Sequence, residues 1–316
     1  MERTNIDLLA RIASMYYEED QTQAYIARET GYSRSMISRY LKEAKRLGIV
    51  EICVHHPLAR HPDLEKKLRE HFDLRNVRVL DRSADNYGRT LSNVGALAAL
   101  LVDDLVEDGS IIGMSWGTGL AEMVRACRPQ FRKGVSVVQI IGAVGTVNPA
   151  IDGAELAREL ARKFGGSYAT LPAPLFVESE AMCQALKRSR QVQDVFALAE
   201  RMDIALVGVG TTDRHYASLV RSGYLTPEQL AEFVDAGAVG DVCTIHFDID
   251  GNLIDIPLQR RLVTIDPATL RQTPIRLGIA AGQAKAKSIL GALRSGLINA
   301  LVTDETAATL VLQLLE

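Results

Sequence analysis

Residues 23–47 read QAYIARETGYSRSMISRYLKEAKRL, a pattern typical of two helices joined by a tight turn. Ala27 is small enough to let two helices approach, Gly31 can turn the chain with φ > 0, and Ile37 falls where the second helix must pack back. A solvated cationic helix on an unrelated bundle, the alternative interpretation, does not need these three offsets together. The stretch therefore predicts a helix-turn-helix.

The second of these helices separates apolar from basic side chains. A buried stripe at three- and four-residue spacing is predicted for Ile37, Tyr40, Leu41, Ala44 and Leu47. The other faces are basic, and Glu43 is the single acid in residues 33–47. Guanidinium groups pair with guanine edges in the major groove, while hydroxyl and ammonium groups hold phosphates. The side chains expected to contact double-stranded operator DNA are Ser33, Arg34, Ser35, Ser38, Arg39 and Lys42.

The DNA-binding module should extend on both sides of this pair. Residues 4–17 are amphipathic and predict a first helix, so we expect three helices in all. Gly48 should end the third helix, and residues 49–54 alternate as a short β segment that could form a wing. With residues 55–62 as a linker, the predicted division is a DNA-binding domain over 1–54 and an effector and oligomerisation domain over 55–316.

From about residue 90 onward, apolar strand-like segments alternate with helical ones. One strand is predicted before this region, at 77–80. The strands predicted within it are 111–113, 135–141, 204–209, 263–266, 276–280 and 298–302. The helices predicted are 63–72, 92–106, 119–127, 153–164, 192–199, 226–236, 283–295 and 306–315. This alternation predicts the α/β class, with a mostly parallel sheet covered on both faces. Ligands of such sheets bind beyond the carboxyl ends of the strands.

Composition narrows the class of protein. The chain has 316 residues and a net charge of −3, so any DNA affinity must come from local charge. Cys53, Cys127, Cys183 and Cys243 are widely spaced and no His lies at ligand spacing, so we expect buried free thiols, no metal and no cofactor. No stretch resembles a membrane span or a signal peptide, and we therefore expect a soluble cytoplasmic protein.

Three loops rich in small residues follow predicted strands: 113–119, 142–145 and 208–212. The first runs from a strand into a helix, where backbone N–H groups and a helix N-terminus can hold an anion. A plain tight turn is the alternative for any one of them, but three together favour a ligand pocket. The candidate effector-binding residues here are Ser115, Gly117, Thr118, Gly142, Gly208 and Gly210.

Two ionisable residues could provide charged contacts to a ligand in such a pocket. Asp241 lies at the start of an apparent strand, and Lys285 lies at a helix start. A carboxylate accepts hydrogen bonds from sugar hydroxyls, and an ammonium group meets a phosphate or a carbonyl. The alternative is that Asp241 caps a turn and that Lys285 is a surface lysine.

The chain resembles the SorC-type family of bacterial transcription regulators, which includes regulators of sugar, deoxyribonucleoside, central glycolytic and autoinducer-2 genes. The resemblance covers nearly the whole chain. Beyond the helix-turn-helix, its motifs are GMSWG at 113–117, LPAP at 171–174, ALVGVG at 205–210, GYL at 223–225, GD at 240–241, FDIDG at 247–251, GQAK at 282–285 and GLINALVTDETA at 296–307.

The resemblance implies a Rossmann-like effector domain with the fold of glucosamine-phosphate deaminase, ribose-phosphate isomerase and CoA transferases, and a sugar-phosphate pocket without turnover. It places the loops at 113–117 and 208–210 around the effector and gives Asp241 and Lys285 polar contacts to it. In one departure from the family pattern, Thr118 is followed by Gly119 where the family has a hydroxyl residue. An unphosphorylated sugar or polyol therefore stays open as the effector.

Together these observations predict a repressor of a carbohydrate or polyol operon, released by a small sugar, polyol or sugar phosphate. Palindromic sites require at least a dimer, and the resemblance suggests a homotetramer. One rival is a sugar-phosphate isomerase or deaminase with an accessory DNA module, but no His or Glu follows the loops closely enough to serve as a general base, so no catalytic residue is predicted. The other rival is an architectural DNA binder without a ligand.

Overall fold

The chain is organised as two units, Met1–Pro57 and Leu58–Glu316. The computed structural model describes residues 3–50, 58–81, 86–143, 145 and 149–315. The predicted domain boundary at residue 54, most of the predicted β segment at 49–54 and Cys53 lie outside the described residues.

The first unit consists of α1 (Arg3–Tyr17), α2 (Gln23–Thr30) and α3 (Arg34–Arg46). Their common core contains the fully buried Ile12, Ile26 and Ile37, one from each helix. The turn between α2 and α3 depends on Gly31, whose φ of +73° is accessible to glycine at little cost. The predicted three-helix arrangement is therefore present.

The second unit combines a large sheet with helices on both faces. Its helices are α4 (Pro62–Phe72), α5 (Tyr87–Leu105), α6 (Thr118–Ala126), α7 (Gly153–Phe164), α8 (Glu180–Arg188), α9 (Arg190–Ala199), α10 (Ser218–Arg221), α11 (Pro227–Asp235), α12 (Pro267–Gln272), α13 (Ala286–Arg294) and α14 (Glu305–Gln313). Its strands are β1 (Asn76–Leu80), β2 (Ile111–Met114), β3 (Ser136–Gln139), β4 (Ser167–Ala169), β5 (Ile204–Thr211), β6 (Gly240–Val242), β7 (Ile245–Phe247), β8 (Ile275–Ile279) and β9 (Ala300–Asp304).

The main sheet is parallel and has the strand order β1-β9-β8-β5-β2-β3-β4. One face packs on α5, α6 and α7 and the other on α4, α9, α13 and α14, so each face has its own apolar core. Strand β5 runs past its neighbours, and its end pairs with the antiparallel hairpin β6–β7. The predicted α/β class with a covered parallel sheet is confirmed.

Three sequence expectations were wrong in detail. Residues 263–266 do not form a sheet strand; this stretch makes isolated bridges such as Ile141 with Thr264, and its apolar side chains are buried. The predicted helix at 283–295 begins as a separate 3-10 turn, Gln283–Lys285. Strand β4 was missed because it lies at a sheet edge and its side chains are largely exposed.

No helix in the described part of the chain is both long enough and apolar enough to span a bilayer.

Candidate functional site

Helix α3 carries its polar side chains on an open surface. Its buried side chains are Ile37, Leu41 and Ala44, while the predicted stripe members Tyr40 and Leu47 are partly exposed. Ser33 is the N-cap, and its Oγ accepts a hydrogen bond of 3.2 Å from the backbone N–H of Met36. This cap fixes the start of the helix, so Ser33 has a structural task as well as the DNA contact predicted for it.

The cations of α3 differ in whether they are already paired. Arg46 donates from Nε and Nη2 to both carboxylate oxygens of Glu43, at 2.9 and 2.5 Å. Within the described residues, Arg34, Arg39 and Lys42 form no ion pair, and all three are exposed. These three predicted residues therefore present free positive charge, whereas Arg46 does not.

A polar pocket lies at the carboxyl edge of the second unit's sheet. The loops after β2 and β8 and the end of β5 form its floor, as expected for a parallel sheet. Seven of the eight predicted effector residues line it: Ser115, Gly117, Thr118, Gly208, Gly210, Asp241 and Lys285.

Gly142 is not among the residues that line this pocket. Its backbone N–H donates to the carbonyl of Val263 at 2.8 Å, and a Cβ there would lie 2.6 Å from the carbonyl oxygen of Pro174. Glycine at this position therefore permits two loops to pack closely. The prediction placed Gly142 at the pocket because its loop follows a strand, but the loop turns instead against residues 173–175.

Asp241 and Lys285 both line this pocket without pairing directly. Lys285 is nearly buried, its Nζ donates to the carbonyl of Val209 at 2.8 Å, and one carboxylate oxygen of Asp241 accepts from the N–H of Thr244 at 3.1 Å. Burial lowers the pKa of Lys285 to about 8, against the opposing attraction of Asp241. No ion pair within 4 Å joins the two groups in the described structure, so each retains hydrogen-bonding capacity toward the pocket.

Gly210 makes room for the Asp241 carboxylate. A Cβ at position 210 would lie 1.8 Å from Oδ1 of Asp241, a distance that no substitution can tolerate without moving the carboxylate. The hairpin that holds Asp241 turns through Cys243 and Thr244, which both have positive φ, +52° and +59°. Two such residues without glycine form a strained turn, and strain of this kind accumulates at functional sites.

The loop at 115–119 provides backbone and hydroxyl groups. Helix α6 starts without a side-chain cap, so no side chain competes for the N–H groups of its first turn. Gly117 has a φ of +124°, and a Cβ there would meet nothing within 4 Å. Glycine at this position lets a ligand come close to the backbone, and the backbone conformation by itself also disfavours any other residue.

Three residues that sequence reasoning missed also line the pocket: Tyr87, Tyr216 and Arg221. The rings of Tyr87 and Tyr216 lie 5.8 Å apart, and these two side chains also line a neighbouring cavity that contains Gly282 and Thr306. Arg221 is exposed and forms no ion pair among the described residues. The only sequence signal for it was its position two residues before the GYL motif at 223–225.

A helix-turn-helix unit in the same chain as an α/β unit with a polar pocket defines a ligand-responsive transcription regulator. The family model described as "Putative sugar-binding domain" matches residues 56–313. Over 316 residues the chain is 32% identical to the sorbitol operon regulator of Klebsiella pneumoniae, covering 98% of each protein. The chain belongs to the SorC family of transcriptional regulators, as its sequence motifs predicted.

Two further similarities extend over the whole chain. The deoxyribonucleoside regulator of Bacillus subtilis is 30% identical over 312 residues, covering 98% of this chain and 99% of that protein. The crystal structure of the full-length sorbitol operon regulator SorC of Klebsiella pneumoniae matches with a TM-score of 0.74, covering 98% of this chain and 99% of that chain. These relatives are named regulators and not enzymes, which is consistent with a chain that is not an enzyme.

Proposed function

We propose that this chain is a cytoplasmic, homo-oligomeric repressor of a carbohydrate or polyol operon, whose operator affinity is controlled by a small sugar, polyol or sugar phosphate. The observation that carries the proposal is that one polar pocket is lined by both Asp241 and Lys285, which do not pair with each other. A hydroxylated ligand between them can donate to the carboxylate and accept from the ammonium group. The names of the relatives, a sorbitol operon regulator and a deoxyribonucleoside regulator, support the same ligand class.

The charge of the pocket favours a phosphorylated effector. Two cations, Lys285 and Arg221, line it together with one carboxylate, Asp241. The uncapped start of α6 adds a partial positive charge beside Thr118. We expect a sugar phosphate to bind more tightly than its unphosphorylated parent, with its phosphate toward Thr118 and Arg221 and its hydroxyls toward Asp241.

The proposed DNA contacts are those of the exposed face of α3. Arg34 and Arg39 read base edges, and Lys42 with the hydroxyls of Ser33, Ser35 and Ser38 holds phosphates. Because a palindromic operator presents two half-sites, two copies of this unit must bind at a fixed separation. The effector releases DNA only if it binds one arrangement of the two copies more tightly than the other. We propose a dimer as the minimal unit and a homotetramer as the full assembly.

The test combines a ligand screen with operator binding. Thermal-shift screening of polyols, sugars and their phosphates identifies ligands that stabilise the folded protein, and calorimetry then gives their affinities. We expect Asp241→Asn and Lys285→Met to lose at least tenfold in effector affinity while operator binding without effector stays unchanged. Asp235→Asn and Lys287→Met, both at exposed positions, serve as matched controls.

Two results would contradict the proposal. If both pocket variants respond to the effector as the wild type does, the effector binds elsewhere. If the purified protein turns over a sugar phosphate, the alternative of an isomerase or deaminase with an accessory DNA module is correct.

A further inference from the structure

A second cluster of charge lies at the amino edge of the sheet, opposite the edge that carries the pocket. Arg75 precedes β1, Asn299 precedes β9 and Arg276 is the second residue of β8, on three neighbouring strands. The N–H of Arg75 donates to the carbonyl of Asn299 at 2.9 Å, and the N–H of Asn299 donates to the carbonyl of Arg276 at 3.1 Å. The three residues are therefore in register, which directs their side chains to the same face.

Arg271 joins this cluster from α12, which packs on that same face through Leu270. Its Nε donates to the carbonyl of Ser295 at 2.9 Å, in the loop that leads to Asn299. The guanidinium groups of Arg75 and Arg271 are close enough to Arg276 to lower its pKa, in addition to the larger effect of burial. Three elements thus bring three cations together.

The described residues supply no countercharge to this cluster. None of the three arginines forms an ion pair, and Nε of the half-buried Arg276 is buried without a hydrogen-bond partner. Nη1 of Arg276 donates to the carbonyl of Thr273 at 2.6 Å, a neutral partner that leaves the charge of the guanidinium uncompensated. A half-buried cation beside two others is costly unless an anion compensates it.

We propose that Arg75, Arg271 and Arg276 form a second anion site that binds the phosphate group of a small metabolite, separate from the effector pocket. Guanidinium groups bind phosphate oxygens through charge-assisted hydrogen bonds, and three of them lie close together here. We expect a small anion in preference to the backbone of DNA, because the side chain of Arg276 is half-buried. The amide of Asn299 is occupied, since Oδ1 accepts from the N–H of Arg276 and Nδ2 donates to the carbonyl of Pro274.

The experiment titrates the full chain with inorganic phosphate and pyrophosphate by calorimetry, with sodium chloride holding the ionic strength constant. An Arg221→Gln background removes the cation proposed to hold the phosphate in the effector pocket, so that phosphate binding there does not obscure the second site. We expect saturable binding that Arg75→Gln and Arg276→Gln each weaken at least tenfold. Arg78→Gln is the matched control, because Arg78 lies on the same strand with its side chain on the opposite face.

Arg75 is exposed, so its substitution tests the site even if the Arg276 variant fails to fold. Absence of saturable binding at constant ionic strength would overturn the proposal, as would equal weakening by Arg78→Gln. A loss of operator affinity in Arg75→Gln without any phosphate binding would also overturn it, and would assign the cluster to DNA instead.

Discussion

The proposed recognition helix α3 and the proposed effector pocket hold their charges in opposite ways. On α3, Arg34 and Arg39 are exposed and their charge is held only by the helix that carries them. In the pocket, Lys285 is nearly buried and Asp241 is held by a hairpin that pairs with the end of β5. The proposed DNA-contacting side chains thus come from a single helix. The pocket, in contrast, needs groups from β5, β6 and the loop before α13.

This difference predicts which substitutions should affect residues other than the one that is replaced. Substitution of Arg34 or Arg39 should alter DNA affinity alone, because neither side chain forms an ion pair in the described structure. A change in the pocket should act through neighbours, because each charged group there is positioned by another residue's backbone. The following experiments test this contrast, in order of decreasing expected effect.

Gly210→Ala should have the largest effect on effector affinity. Its Cβ would lie 1.8 Å from Oδ1 of Asp241, so the carboxylate must leave its position. Loss of a hydrogen bond to a charged group costs about 1.5–3 kcal/mol, or about 10- to 150-fold in affinity. Calorimetry with the effector measures this loss. Gly208→Ala, whose Cβ would lie 3.3 Å from the carbonyl oxygen of Trp116, should cost less.

A double-variant cycle shows whether Gly210 acts through Asp241. In an Asp241→Ala background the carboxylate is gone, so Gly210→Ala should cost no further effector affinity. If the two losses add fully, glycine 210 contacts the effector itself and the positioning argument is wrong.

Arg34→Ala and Arg39→Ala should each weaken operator binding by about 5- to 150-fold, the value of a bidentate base contact of about 1–3 kcal/mol. Effector affinity should not change. Arg46→Ala is the control, because its guanidinium is already paired with Glu43 and should contribute less. Gel-shift titrations at fixed salt compare the three variants. Equal losses for Arg46 and the other two would show a general charge effect in place of base recognition.

The same contrast explains what the sequence could and could not predict. The helix-turn-helix was predictable from Ala27, Gly31 and Ile37, because local spacing determines how two adjacent helices pack. The parallel sheet was predictable because apolar strands alternate with helices. Six of the seven predicted pocket residues lie together because the carboxyl ends of parallel strands share one edge, and Asp241 is added by the antiparallel hairpin β6–β7.

The remaining parts of the pocket depend on contacts between distant segments. Arg221 and Tyr216 reach it from the region after β5, and no periodic pattern marks a residue that lies beside a pocket. Gly142 was assigned to the pocket by its position after a strand, yet its loop packs against residues 173–175. The resemblance to the family identified Asp241 and Lys285 but not the role of Gly210, since only the structure shows which atom a Cβ would meet.

Effector affinity should decrease above about pH 8, where Lys285 loses its proton. If only the ammonium form binds, the affinity falls about tenfold for each pH unit above that pKa. Folding stability has the opposite sign: the unfolded lysine keeps its proton up to a pKa of 10.5, so stability rises between about pH 8 and 10.5 as the buried group is neutralised. Calorimetry and urea unfolding between pH 7 and 10 measure both trends. Lys285→Met should abolish them, and Lys287→Met should keep them.

The smallest expected effect comes from removing a helix N-cap, and it can be compared between the two units. Ser33 caps α3 and Thr226 caps α11, each by accepting from the N–H three residues on at 3.2 Å, and Thr226 belongs to a capping box with Gln229. Replacing either by Ala should cost about 1 kcal/mol of helix stability.

In Ser33→Ala this loss should also weaken operator binding severalfold, because the cap holds the start of the helix that is proposed to contact DNA. In Thr226→Ala urea unfolding should register the loss, while operator binding stays at the wild-type level because α11 carries none of the proposed DNA contacts. If both variants bind operator as the wild type does, operator binding does not depend on an ordered first turn of α3. Ser33 then caps the helix and makes no DNA contact.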